Sequence, residues 1–266
     1  MGASTIPSAR LLEERRGRVL LLTISNPTAR NAMSPDLYAA AAPVFRKAAG
    51  DDGIGAIVLT GEGEHFCGGG NLNRLRAQRE RPSAEQVASL DAFHGWITAM
   101  RECPKPVIAA LEGAAAGGGF SLALACDLIV AAEDAKLVMS YARIGLSPDG
   151  GGSDSLAQTL PPQAALELLL DGNVTPVSRL HALGVVNRVV PHGAALGAAL
   201  EWAQRLAGGP ALAHGKIKQL VYAARGRSAR AQLDAERDAF IECLYGAECG
   251  EGVAAFLEKR PARFHS

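Results

Sequence analysis

Asp149 stands in the stretch RIGLSPDGGGSD, residues 143–154, between a proline and three glycines. Pro-Asp-Gly is an ordinary turn signal. It is also a way to aim one carboxylate at something held close to bare backbone. Two further glycine triplets occupy 68–70 and 117–119. Any one triplet is most simply a tight turn with positive φ. All three fall where the pattern predicts strand exits, and an α/β protein gathers its site there. Gly118 precedes the apolar helical run FSLALAC, so its N–H points outward with the positive end of a helix dipole behind it. Gly70 lies in a second glycine loop. Two such amides converging on one point make an oxyanion hole, suited to a thioester enolate whose charge rests on the carbonyl oxygen.

Other constellations are weaker. No GxxxxGK[ST] occurs, and GEGEHF begins as GxGxx but places Phe66 where the last glycine belongs. Cys67 could be a nucleophile, yet no paired histidine is evident, and a small packed thiol is the commoner role. His94 lies in a helical segment and reads as a packing or surface residue. Asp127 closes the run FSLALAC and reads as structural. The six histidines form no HExxH and no close sequence cluster, so no metal site is expected.

These residues need a scaffold. A chain of 266 residues with 48% hydrophobic and 20% charged side chains is globular and long enough for a sizeable core. Its 27 basic and 27 acidic side chains cancel, which gives no basic stripe for nucleic acid. The five cysteines are odd in number and make no CxxC, so reduced thiols in a cytoplasmic setting are expected. The N-terminal stretch lacks the apolar core of a signal peptide, and Ile6 breaks a myristoylation match. The longest apolar stretch, 113–126, is too short and too glycine-rich to span a bilayer.

Strand character appears at 17–25, 54–61, 105–113, 128–139 and 185–190. Ser34 and Pro35 predict a helix start, with Pro43 kinking or dividing that helix. Helical periodicity over 84–103 places Val87, Leu90, Phe93, Trp96, Ile97 and Met100 on one side. A further helix runs from Pro161 or Pro162 to Leu170. Beyond His192 no strand is expected, only three or four alanine-rich helices broken near 208–210 and Gly226. The expected fold class is α/β, with a core over 1–192 and a helical region over 193–266.

The segments EHFCGGGNL, KPVIAALEGAAAGGGFSLALACDLIVAAEDAKL and EGVAAFLEKRPARF resemble the enoyl-CoA hydratase/isomerase (crotonase) superfamily, from about Arg18 to Phe264. The resemblance implies a spiral of ββα units whose C-terminal helices build trimers or dimers of trimers. It implies an acyl-CoA thioester as substrate, with CoA arriving as part of it and no resident cofactor. By motif position the oxyanion amides are those of Gly70 and Gly118. Ala29, with Arg30, stands where the family contacts CoA. Cys67, Gly68, Asn71 and Leu72 line the thioester site, and Asn71 replaces an aspartate common in hydratases. The two glutamates that hold water in the hydratases fall at Ser121 and Tyr141. Neither replacement is a good base near neutral pH, so both are expected to line the acyl pocket. The stretch YARIGLSPDGGG is most similar to the branch containing epoxyphenylacetyl-CoA isomerase, where an Asp at this turn moves a proton. Asp149 is then the acid/base of an isomerase. A hydratase with other water-holding groups, or an idle acyl-CoA binder, are the alternatives.

Overall fold

The computed structural model describes residues 8–265. Ile6 and the first residues weighed above lie outside them. The chain opens with β1 (Arg10–Arg16), β2 (Val19–Ser25), α1 (Pro35–Ala49), β3 (Ala56–Gly61), α2 (Leu72–Gln78) and α3 (Ser83–Glu102). Then come β4 (Val107–Leu111), β5 (Ala114–Ala116), α4 (Gly118–Ala125), β6 (Leu128–Ala132) and β7 (Lys136–Val138). Next are α5 (Gly152–Thr159), α6 (Pro162–Asp171), α7 (Val177–Ala182) and β8 (Arg188–Val190). The helices α8 (Ala195–Ala207), α9 (Ala211–Ala223), α10 (Ala229–Leu244) and α11 (Ala247–Leu257) close the chain. The class is α/β, as the sequence predicts.

Six strands form one sheet in the order β1-β2-β3-β4-β6-β8. All pairs are parallel except β1 with β2. The parallel strands are near-continuous apolar runs because both faces are covered. Alternation survives inside those runs. Leu20, Leu22, Ile57, Leu59, Ala109 and Leu111 face a core shared with Phe45 of α1 and Trp96 of α3. Val19, Leu21, Val58, Ile108 and Val130 face Ala195, Ala199 and Ala203 of α8. A Cβ placed on Gly55 would lie 2.7 Å from the Ala207 backbone, so α8 approaches closely on its alanine face.

The smaller sheet pairs β5 with β7 in parallel. The predicted single strand 128–139 is therefore two strands in different sheets. Glu133 and Asp134 turn between them, with Ala135 donating to the Ala132 carbonyl at 3.1 Å. Pro43 neither divides nor ends α1. The carbonyl deprived of its helical donor belongs to Ala39, which is exposed to water. Ser34 holds the N-cap position of α1, but its side chain makes no cap bond. Val87 is 55% exposed, and the buried face of α3 is Ser89, Phe93, Trp96, Ile97, Ala99 and Met100.

Asp127 pins α9 to the sheet. Its carboxylate lies 2.8 Å from Lys218 Nζ of α9, accepts from Tyr222 Oη at 2.8 Å, and accepts from the Val107 amide at 2.7 Å. Glu112, Asp134 and His192 gather their ligand-capable atoms within 4.8 Å of one another. Glu112 already spends both oxygens on the Gly193 and Ala195 amides, at 3.1 and 2.8 Å, so it caps α8. No helix of the described residues is long and apolar enough to cross a membrane.

Candidate active site

The first glycine loop is clamped from two sides. Cys67 joins the edge of β5: its amide donates to Ala114 O and its carbonyl accepts from Ala116 N, both at 3.0 Å. On the other side Gly68 donates to Arg30 O at 2.7 Å, and Met33 donates to Gly69 O at 2.8 Å. Side chains do not fit between the two glycine loops. A Cβ on Gly69, at φ +86°, would lie 2.4 Å from Ala116 O, and one on Gly119 would lie 2.2 Å from Cys67 O. Gly117 turns the chain into α4 at φ 51°, ψ −123°, backbone that only glycine adopts readily. The amides of Gly70, Gly118 and Gly119 have no acceptor among the described residues, and those of Gly70 and Gly118 are the pair the sequence predicts. Gly118 is the first residue of α4, so its N–H carries the dipole's positive end.

The turn carrying Asp149 is pressed onto the same spot. A Cβ on Gly118 would lie 3.0 Å from Met33 Cε, 3.5 Å from Asp149 Oδ1 and 3.8 Å from Tyr141 Oη. The glycines after Asp149 make this approach possible. Gly150 has φ +59°, and a Cβ there would lie 2.4 Å from Phe93 Cε1. One on Gly152 would lie 2.4 Å from Ser121 Oγ. The turn seats on α3 and α4 only because no side chain intervenes.

Ser121, Tyr141 and Asp149 form one hydrogen-bonded chain. Tyr141 Oη donates to Asp149 Oδ1 at 2.5 Å. Ser121 Oγ lies 3.0 Å from the same phenol oxygen. A phenol has one proton, so with that proton on Asp149 the serine hydroxyl is the donor to Tyr141. Burial first, then the charge of Asp149, holds the Tyr141 phenol well above the usual tyrosine range. It is a fixed donor at any working pH. The sequence predicts these two residues as pocket lining; their link to Asp149 is visible only in the fold.

The other predicted residues distribute around this centre. Burial pushes the Cys67 thiol up to about 12, which removes it as a nucleophile. Its Sγ donates to Asn31 O at 3.2 Å. The Ala29–Arg30 segment flanks the loop: a Cβ on Gly68 would lie 3.2 Å from Arg30 O and 4.0 Å from Ala29 O. Asn71 caps α2, accepting from the Arg74 amide at 3.1 Å. It also lines a cavity of about 580 Å³ that shares Met33 with the glycine loops. Leu72 points outward and is 61% exposed. Three contributors escape a motif search. Asn31, at φ +54°, buries its amide and donates to Glu62 O and His65 O at 2.9 and 2.7 Å. Met33, just before α1, reaches the Gly118 position, and Tyr38 of α1 packs on Phe93, the ring beneath Gly150, with centroids 4.9 Å apart. A positive-φ asparagine has a weak sequence signal, the NPTARN turn; the other two read as core.

Two unpartnered amides beside one hydrogen-bonded carboxylate suit the stabilisation of an oxyanion with proton transfer close by. Comparison with known proteins gives the family. The sequence profile described as enoyl-CoA hydratase/isomerase matches residues 14–266. The 1,2-epoxyphenylacetyl-CoA isomerase of Escherichia coli (strain K12) is 34% identical, over 92% of this chain and 94% of that protein. The 2,3-dehydroadipyl-CoA hydratase of the same strain is 32% identical, over 96% and 98%. A crystal structure of an enoyl-CoA hydratase from Polaromonas sp. JS666 is 48% identical and superposes with a TM-score of 0.94, covering 96% of this chain and 100% of that one. Sequence, fold and site geometry together make this chain a member of the enoyl-CoA hydratase/isomerase family.

Proposed function

We propose that the chain isomerises an acyl-CoA thioester, shifting a double bond or opening a strained ring, with Asp149 as acid/base. One observation carries this reading. The positions of the hydratases' two glutamates hold Ser121 and Tyr141, and both hydroxyls are spent in a chain that ends on Asp149. A single carboxylate positioned by donors suits moving one proton between two carbons. Two free carboxylates holding a water would suit hydration.

The steps balance without a redox partner. Asp149 takes the proton from the carbon α to the thioester of a β,γ-enoyl chain. The C–H electron pair enters the π-system, and the negative charge rests on the thioester oxygen between the Gly70 and Gly118 amides. Asp149 then returns the proton to the γ-carbon, a new C–H bond forms from the dienolate, and the carbonyl is restored. Loss of one oxyanion donor typically costs about 2.7–4 kcal/mol of barrier, so the glycine backbone matters as much as the acid. Tyr141 and Ser121 are positioning residues that fix the carboxylate. The reading also carries a homotrimer or dimer of trimers. The exposed Phe240 and Ile241 of α10 and Phe256 and Leu257 of α11 support burial against further subunits.

The test is an absorbance and mass assay with paired β,γ- and α,β-enoyl-CoA esters. Interconversion at constant mass is expected, with kcat lowered at least about 10²-fold in Asp149→Asn. Wild-type turnover by that variant would refute the assignment. A gain of one water would favour the hydratase reading, which the names of the dehydroadipyl-CoA and Polaromonas relatives recommend. Saturable binding without turnover would favour an idle binder.

A further inference from the structure

We infer that the acyl group this chain takes carries a carboxylate at its far end, bound by Arg74 and Gln78 of α2. The inference rests on the acyl-CoA reading of the site and narrows the substrate to the monothioester of a dicarboxylic acid.

The cavity of about 580 Å³ between α1, α2 and α3 begins beside the oxyanion loop. Two of its lining residues adjoin Gly70: Met33 bridges to it in parallel pairing, and Asn71 follows it in the chain. From Asn71, α2 leads away from the loop. Asn71, Arg74 and Gln78 all line the cavity, at spacings of three and four that share one helical face. At about 1.5 Å of rise per residue, Arg74 and Gln78 stand about 5 and 10 Å along the axis from Asn71. That is the reach of a medium-length acyl chain whose thioester rests on the Gly70 amide.

The groups at that distance are cationic and polar, and they lack partners. Ser89 of α3 is 8% exposed and accepts from Arg74 Nη2 at 3.3 Å, so the guanidinium is turned inward between α2 and α3. This hydroxyl is its only side-chain partner among the described residues. A guanidinium has five N–H donors in a fork that matches a carboxylate. Gln78 Nε2 is enclosed with no partner, which costs stability until an acceptor is supplied. Rotating the amide into the cavity gives it the same ligand oxygen. The acids lining the cavity are engaged elsewhere. Glu85 pairs with Arg81 at 3.0 Å, and the exposed Asp36 accepts from Ser8 Oγ at 2.7 Å. A hydrocarbon chain end would take water from Arg74 and return nothing. A terminal carboxylate accepts from both residues.

The experiment uses saturated esters that neither an isomerase nor a hydratase can turn over. They are hexanoyl-CoA and octanoyl-CoA, with their terminally carboxylated counterparts adipoyl-CoA and suberoyl-CoA. Binding to the full-length protein is measured by calorimetry. Wild type is expected to bind a carboxylated ester at least about tenfold more tightly than its hydrocarbon counterpart. Arg74→Met keeps the length of the side chain and is expected to lose about 10- to 100-fold for that ester and nothing for the hydrocarbon one. Gln78→Met is expected to lose about tenfold with the same selectivity. Equal loss for both kinds of ester would put Arg74 on the CoA phosphates and overturn the inference. Equal affinity of wild type for both kinds, or variants that lose nothing, would overturn it too. Each of these results leaves the acyl-CoA reading standing. Failure of wild type to bind any of the esters would sink that reading, and this inference with it.

Discussion

Replacing Gly150 by alanine should damage this enzyme in a way that replacing Gly151 does not. Both residues have positive φ, +59° and +75°, so each alanine pays a left-handed backbone cost of about 1–2 kcal/mol. The surroundings differ. A Cβ on Gly151 meets nothing within 4 Å, whereas one on Gly150 lands 2.4 Å from Phe93 Cε1 and 3.3 Å from Ser121 Cβ. Phe93 is fully enclosed and stacked on Tyr38, so it cannot swing away. Overpacking of this kind adds about 1–3 kcal/mol, for a total of about 2–5 kcal/mol against about 1–2 for Gly151. The strain falls on the residue after Asp149, and a displacement of about 1 Å at a reacting group can cost on the order of 10² in rate. Urea unfolding and the enoyl-CoA isomer assay on both variants read the two effects. Equal stability and equal rates would refute the claim that the glycines exist to seat the Asp149 turn against α3 and α4.

Two more expectations concern groups away from the proton transfer. Cys67 has a folded pKa of about 12 against an ordinary value of 9.0, so its contribution to stability is fully present below about pH 9 and is lost as pH rises toward 12. At pH 8 a thiol reagent followed by peptide mapping should mark Cys243 and Cys249, both half-buried, and reach Cys67 only after unfolding; native labelling of all three at one rate would refute this. Asp127→Asn leaves Lys218, whose side chain is 8% exposed, without its charge partner, and should cost about 3–5 kcal/mol in denaturant unfolding. A loss below about 1 kcal/mol would show that the α9 contact does not depend on the ion pair.

The parallel strands were legible because burial on both faces turns them into apolar runs, and β4, VIAAL, is buried throughout. The first strand was not. RLLEERR carries five charges in seven residues, and only its antiparallel register, Arg10 opposite Ser25 through Arg16 opposite Val19, makes it a strand. Such charge on an edge is what keeps an edge from pairing with another chain, so the feature that hides β1 from a hydropathy reading is its protection. Short helices escaped for a related reason. With seven residues and no buried position, α2 has no apolar stripe to read, and it is held by the Asn71 cap. The split of 128–139 into β6 and β7 also leaves no hydropathy mark, because both halves are apolar and the change of sheet happens over two acidic residues.

At the site, composition announces backbone more clearly than side chains. Each glycine triplet is a constraint on how closely two chain segments approach, and a missing Cβ can be read directly from the sequence. Polar pairing cannot. Ser121 lies 28 residues before Asp149 in the chain, on a different element, and nothing in either local pattern says that Tyr141 joins them. Read one position at a time, Ser121 and Tyr141 are simply two absent glutamates, which points equally to a lost function and to a changed one. Under the proposed isomerase reading, the hydrogen-bonded chain favours the changed function. Buried hydroxyls left over from an abandoned water site would be free to become apolar, since an unsatisfied one costs stability. Here both are satisfied, in series, by the one carboxylate that faces Gly118. A connected polar network at a glycine-lined site is the arrangement that fixes an acid in place.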